Sequence, residues 1–227
     1  MNLAQELTNL VIQAQAHLPK DKLAAIVQAT EELRQSEILK DSLNIGDHVK
    51  DFTLPNVSGN AVELKQLLAT GPVVISFFRG TWCRFCNLEL KALQDVLPEI
   101  QALGASLVAI SPQTPDYYSM STAQDSSLDF DVLSDVGNQV ARNFGIVYQI
   151  PEPLRPIMQG LGADLLAANG DETFELPVPA TYVIAPDGTV NYAFVDPDFT
   201  KRVEPTQIIR LVRKFQSQTV QSFGSKL

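Results

Sequence analysis

The run Val73-Val74-Ile75-Ser76-Phe77-Phe78 constrains this chain more than any other stretch. It is almost continuously apolar, β-branched and aromatic, as expected of a strand buried on both faces, so other layers must cover the sheet on either side. Arg79-Gly80-Thr81-Trp82 leaves the run and Cys83 opens a helical pattern, with Phe85, Leu88, Ala92, Leu93, Val96 and Leu97 as its apolar stripe. Pro98 is expected to kink or end that helix. The unit reads as strand, short loop, helix, with Cys83 and Cys86 at the junction.

The chain on either side continues the alternation. Leu107 to Ile110 is a second buried strand, Phe130 to Leu133 a third, and Asn138 to Phe144 a helix stopped by Gly145. Ala180 to Ala185 and Val190 to Val195 pair about Pro186-Asp187-Gly188, and Ile208, Ile209, Leu211, Val212 and Phe215 mark a closing helix. This pattern predicts an α/β protein, a three-layer α/β/α sandwich with a mixed central sheet. Residues 1–44 read as an N-terminal helical extension, broken at Pro19-Lys20-Asp21, and serve as a packed arm or a dimerisation element. The main domain is set at 45–218, with 219–227 as a tail. Within it, residues 146–178 read as an irregular insertion, too long for an ordinary connection.

Composition narrows the function. A net charge of −9 excludes nucleic acid and an anionic membrane as natural partners. No apolar run is long enough to span a bilayer, and the N-terminus lacks a secretory leader, so a cytoplasmic location is the expectation. The chain has 2 cysteines. At C-x-x-C spacing in a reducing compartment they suggest redox or metal chemistry rather than a structural framework. The histidines, His17 and His48, lie outside any ligand spacing for zinc.

Residues three apart at a helix start lie roughly 5 Å apart on one face, within the separation a disulfide needs. The helix N-terminus favours a thiolate there, and Arg79 or Arg84 adds positive charge. Such flanks belong to a partly exposed, electropositive loop. No cofactor motif is read.

Several segments together resemble the peroxiredoxin-like branch of the thioredoxin-fold superfamily, near the alkyl hydroperoxide reductase and thiol-specific antioxidant proteins. They are Gly46-Asp47 with Asp51-Phe52-Thr53-Leu54-Pro55, the run from Phe77 to Cys83, Leu133-Ser134-Asp135 through Gly145, and Val178 to Ile184. In the family's P-x-x-x-T-x-x-C register Cys86 takes the peroxidatic position, Cys83 replaces the threonine and Arg79 the proline. Glu89 matches a glutamate common in the family. The arginine that usually precedes the late strand is missing, and Pro179, which stands there, resembles the cis-proline of thioredoxins. Arg79, Thr81 or Arg142 is the expected substitute for the missing groups.

The resemblance implies reduction of hydrogen peroxide or alkyl hydroperoxides by a Cys83/Cys86 dithiol, re-reduced by a thioredoxin- or glutathione-type donor. Thr81, Trp82, Arg79, Glu89 and Pro179 are its supporting residues. Thioredoxin logic makes Cys83 the attacker and peroxiredoxin logic Cys86. Exchange with protein or small-molecule disulfides is the alternative, a non-enzymatic interaction or metal-binding module the second, and a homodimer is left open.

Overall fold

The computed structural model describes residues 2–122 and 128–224. In chain order the helices are α1 Leu3–His17, α2 Lys20–Gln35, α3 Ile38–Asp41, α4 Leu64–Thr70, α5 Arg84–Ala102, α6 Pro115–Thr122, α7 Gln139–Asn143, α8 Arg155–Gly160, α9 Leu165–Asn169 and α10 Pro205–Gly224. The strands are β1 Thr53–Pro55, β2 Ala61–Glu63, β3 Val73–Phe77, β4 Ser106–Ser111, β5 Asp131–Ser134, β6 Val147–Gln149, β7 Glu175–Pro177, β8 Ala180–Ile184 and β9 Val190–Val195.

The central sheet has the order β5-β4-β3-β8-β9. β3, β4 and β5 run parallel, and β8 and β9 antiparallel, so the sheet is mixed as expected. Every residue of β3 is buried, and its period-2 alternation feeds two cores. Val74 and Phe78 pack with Leu90, Leu93 and Leu97 of α5 and with Ile208 and Val212 of α10. Val73, Ile75 and Phe77 pack on the opposite face with Leu64, Val140 and Phe144. Ser76, the one polar residue in the run, is also fully buried. It lies on the α5 side, where its hydroxyl bonds Glu89.

Two readings of local structure need correction. Pro98 neither ends nor interrupts α5, which continues to Ala102. Burial of Leu93, Leu97 and Ile100 along one stripe outweighs the single hydrogen bond that proline removes. Residues 146–178 are not irregular either. β6 and β7 pair there, and a 3₁₀ turn (Glu152–Leu154), α8 and α9 lie between them. Ile150, Ala163, Leu165 and Leu176 form a small core of their own, which Trp82 and Tyr148 also join. Gly145 does stop α7, with φ of 69° and its N–H bonded to the Arg142 carbonyl.

α1 lies against α5, with Leu3 and Leu7 buried on Ala92 and beside Phe85 and Leu88. The Ala4 N–H donates to Glu204 Oε1 at 2.6 Å, tying the arm to the segment before α10. Among the described residues no helix is long and apolar enough to cross a membrane.

Candidate active site

Cys83 is the N-cap residue of α5 and Cys86 lies in its first turn. Both are free thiols, and both are buried rather than partly exposed, with exposures of 3% and 0%. The electropositive loop expected around them has folded inward. Arg79 is 7% exposed, its guanidinium 4.1 Å from the Phe199 ring centroid and 5.2 Å from that of Trp82. These aromatic faces replace part of the hydration that the cation loses. Arg84 stays exposed.

Each sulfur has its own guanidinium. Arg79 Nη2 donates to Cys83 Sγ at 3.2 Å, and Arg202 Nη2 donates to Cys86 Sγ at 3.1 Å. Arg202 also forms a buried ion pair with Glu89 Oε2. The other oxygen of Glu89 accepts from Ser76 Oγ and Thr181 Oγ1, each at 3.3 Å. Ser76 breaks the apolar run of β3 to meet this carboxylate. Arg202 additionally donates to the carbonyls of Phe199 (2.8 Å) and Lys201 (2.6 Å), which fixes the loop between β9 and α10 over the pair.

The two thiols are pushed apart electrostatically. Burial works to raise the Cys83 pKa, but the hydrogen bond from Cys86 and the charges of Arg79 and Arg202 hold it well below the ordinary thiol range. Burial, the hydrogen bond to Cys83 and the Cys83 charge push Cys86 well above that range, against the pull of Arg202 and Arg79. The two shifts run in opposite directions, so Cys83 is the more readily ionised of the pair. Burial pushes Glu89 up, but Arg202 and the two hydroxyls oppose the shift. Both arginines remain protonated. Burial disfavours their charge, but sulfur and, for Arg202, Glu89 favour it more.

The remaining expected residues divide. Thr81 shapes the loop: its N–H donates to Gln113 Oε1 at 2.8 Å, its hydroxyl meets Gln113 and Ser121, and its carbonyl accepts from Asn87. Pro179 stands between β7 and β8 on a trans peptide bond, not the cis bond anticipated. Trans is the favoured isomer, and here the chain passes from one strand to the next. Arg142 lies away from the sulfurs, paired with Glu175. Arg202 was missed altogether. The signal for it was Glu89, a carboxylate within the apolar stripe of α5, which required a cation from elsewhere. Among the described residues no group of three or more His, Cys, Asp and Glu is arranged to hold a metal ion.

The model of the AhpC/TSA family matches residues 45–193. A Bacillus thuringiensis protein named thiol-disulfide oxidoreductase ResA is 24% identical over 136 residues, 60% of this chain and 76% of the relative. A Mycobacterium tuberculosis protein named as a peroxiredoxin is 32% identical over 115 residues, 51% of this chain and 74% of the relative. Among solved structures, the peroxidoxin BcpB of M. tuberculosis superposes with a TM-score of 0.58 at 23% identity, over 76% of this chain and 97% of that one. The reduced 2-Cys peroxiredoxin of Plasmodium vivax gives a TM-score of 0.59 at 14% identity, over 78% and 84%. These two structural likenesses speak to the fold alone.

Proposed function

This chain belongs to the AhpC/TSA family of thioredoxin-fold oxidoreductases, and from that premise we propose that it reduces hydroperoxides with Cys83 as the attacking thiolate and Cys86 as the resolving thiol. The observation that carries the reading is the Cys83 sulfur at the N-cap of α5, which receives a hydrogen bond from the buried Arg79 at 3.2 Å beside the free Cys86. Its 3% exposure admits a small peroxide more readily than the backbone of a protein disulfide.

The Cys83 thiolate attacks the distal oxygen of the peroxide. An S–O bond forms as the O–O bond breaks, sulfur is oxidised to sulfenic acid, and the departing alkoxide or hydroxide takes up a proton from water. The guanidiniums of Arg79 and Arg202 are placed to stabilise that developing negative charge, in the role usually given to a threonine and an arginine. Cys86, once deprotonated, attacks the Cys83 sulfur, and the hydroxyl leaves as water. An external thiol then reduces the disulfide.

One equivalent of hydrogen peroxide or a small alkyl hydroperoxide, followed by mass spectrometry, tests the assignment. Cys86→Ser should accumulate sulfenic acid on Cys83, and Cys83→Ser should react no faster than free cysteine. Fast sulfenylation of Cys86 in Cys83→Ser would restore the peroxiredoxin register and refute ours.

The second reading, thiol–disulfide exchange, is favoured by one specific observation: the first cysteine of the C-x-x-C stands at the N-cap of α5 and accepts a hydrogen bond from Arg79, a setting that suits an attacking thiol in exchange. Turnover of a mixed or protein disulfide, without fast peroxide reduction, would select it.

A further inference from the structure

Arg79 and Arg202 are both buried and both reach a sulfur, yet they are neutralised differently. Arg202 has the Glu89 carboxylate whatever the sulfurs do. Arg79 has none: among the described residues no carboxylate pairs with it and its Nε has no hydrogen-bond partner, while its Nη2 donates to Cys83 and the neutral Tyr148 hydroxyl lies beside the guanidinium. Phe199 and Trp82 lie against the guanidinium, which limits the water that can reach it.

We propose that Arg79 is a redox-poising residue, favouring the dithiol over the disulfide and so making the Cys83–Cys86 couple an oxidising one. The inference rests on the Cys83–Cys86 disulfide of the cycle proposed above. Forming that bond from a thiolate and a thiol releases two electrons and one proton, and the negative charge on Cys83 disappears. Arg79 cannot follow by deprotonating, so it is left as a buried cation with no counter-ion. The penalty falls on the oxidised state alone. A couple whose reduced form is selectively stabilised is an oxidising one. Re-reduction restores the pair. A first thiolate attacks the Cys83 sulfur and releases Cys86, giving a mixed disulfide. A second thiolate attacks the outer sulfur of that mixed disulfide, expelling Cys83 thiolate and a symmetric disulfide. The low pKa of Cys83 makes it a good leaving group in that last step.

Equilibration in buffers of reduced and oxidised glutathione, with alkylation and mass spectrometry to count thiols, tests the role. Arg79→Gln should lower the equilibrium constant for reduction at least tenfold, about 30 mV for a two-electron couple. Arg79→Lys, which keeps the charge, should move it less. A disulfide that forms with an unchanged constant in Arg79→Gln overturns the poising role alone, whereas a wild-type protein that forms no Cys83–Cys86 disulfide overturns the catalytic cycle as well. Urea unfolding of the wild type needs no variant. The reduced protein should unfold at the higher midpoint, the reverse of what a disulfide ordinarily does. A higher midpoint for the oxidised protein overturns the proposal.

Discussion

At the scale of single residues, the division of labour between two chemically identical side chains comes from their neighbours. Cys83 accepts from Arg79 and Cys86 from Arg202, but the cations hold the Cys83 pKa down while burial and the neighbouring sulfur push that of Cys86 up. Alkylation by iodoacetamide across a pH series should label Cys83 at neutral pH and below, and Cys86 only in strongly alkaline solution. Equal labelling of both at pH 7 would contradict the assignment. Stability follows with opposite signs. The folded pKa of Cys83 is depressed, so its contribution is present above the unfolded value of about 8.5 and is lost as pH falls through the folded pKa. The folded pKa of Cys86 is raised, so its contribution is present below that value and is lost as pH rises through the folded pKa. Cys83, Cys86, Arg79 and Glu89 were all legible as candidates, because the C-x-x-C spacing and a carboxylate in an apolar stripe are local patterns. Which cysteine carries the charge was not.

At the scale of elements, the loop from β3 to α5 holds the site through backbone conformation as much as through side chains. Gly80 adopts φ of 149°, and a Cβ there would stand 2.4 Å from Trp82 Nε1 and 3.1 Å from the Gln113 side chain. Gly80→Ala must move Trp82, and with it one wall of the Arg79 sandwich. The expected outcome is a loss of about 1–3 kcal/mol in urea unfolding and slower alkylation of Cys83. Wild-type alkylation kinetics in this variant would show that the loop tolerates the side chain. The same scale separates what sequence patterning reads well from what it reads poorly. Apolar runs and turn residues located every strand of the central sheet to within a few residues, because burial on both faces leaves a strong compositional trace. The segment from β6 to β7 has short elements and a small core of its own, and its prolines masked them.

At the scale of the whole molecule, the N-terminal helices are tied to the chemistry at two points. α1 covers Phe85 and Leu88 beside the cysteines, and Ala4 bonds to Glu204, just past the loop that carries Phe199 and Arg202. Phe85 in turn meets Phe199 edge-on, with centroids 5.5 Å apart. The arm therefore braces both α5 and the loop over the sulfurs. Leu7→Ala is expected to cost about 2–5 kcal/mol, with hydrogen exchange rising most in residues 3–17 and around Phe85 and Leu88. Exchange rising evenly through the central sheet would instead show that the arm is integral to one cooperative core.

The sequence by itself determined the cysteine pair, its place between a buried strand and a helix, and the α/β/α layering. Spacing of three residues and periodicities of 2 and 3.6 are short-range properties that survive without knowledge of the fold. Only the tertiary structure decided how the pair is electrostatically set. Arg202 reaches Cys86 from 116 residues away and Glu89 from 113, and Arg79 turns inward beneath Phe199 to reach Cys83. Charge acts through distance and dielectric in space. Two cations separated so differently along the chain become neighbours of one dithiol only once the sheet and its layers have closed around them.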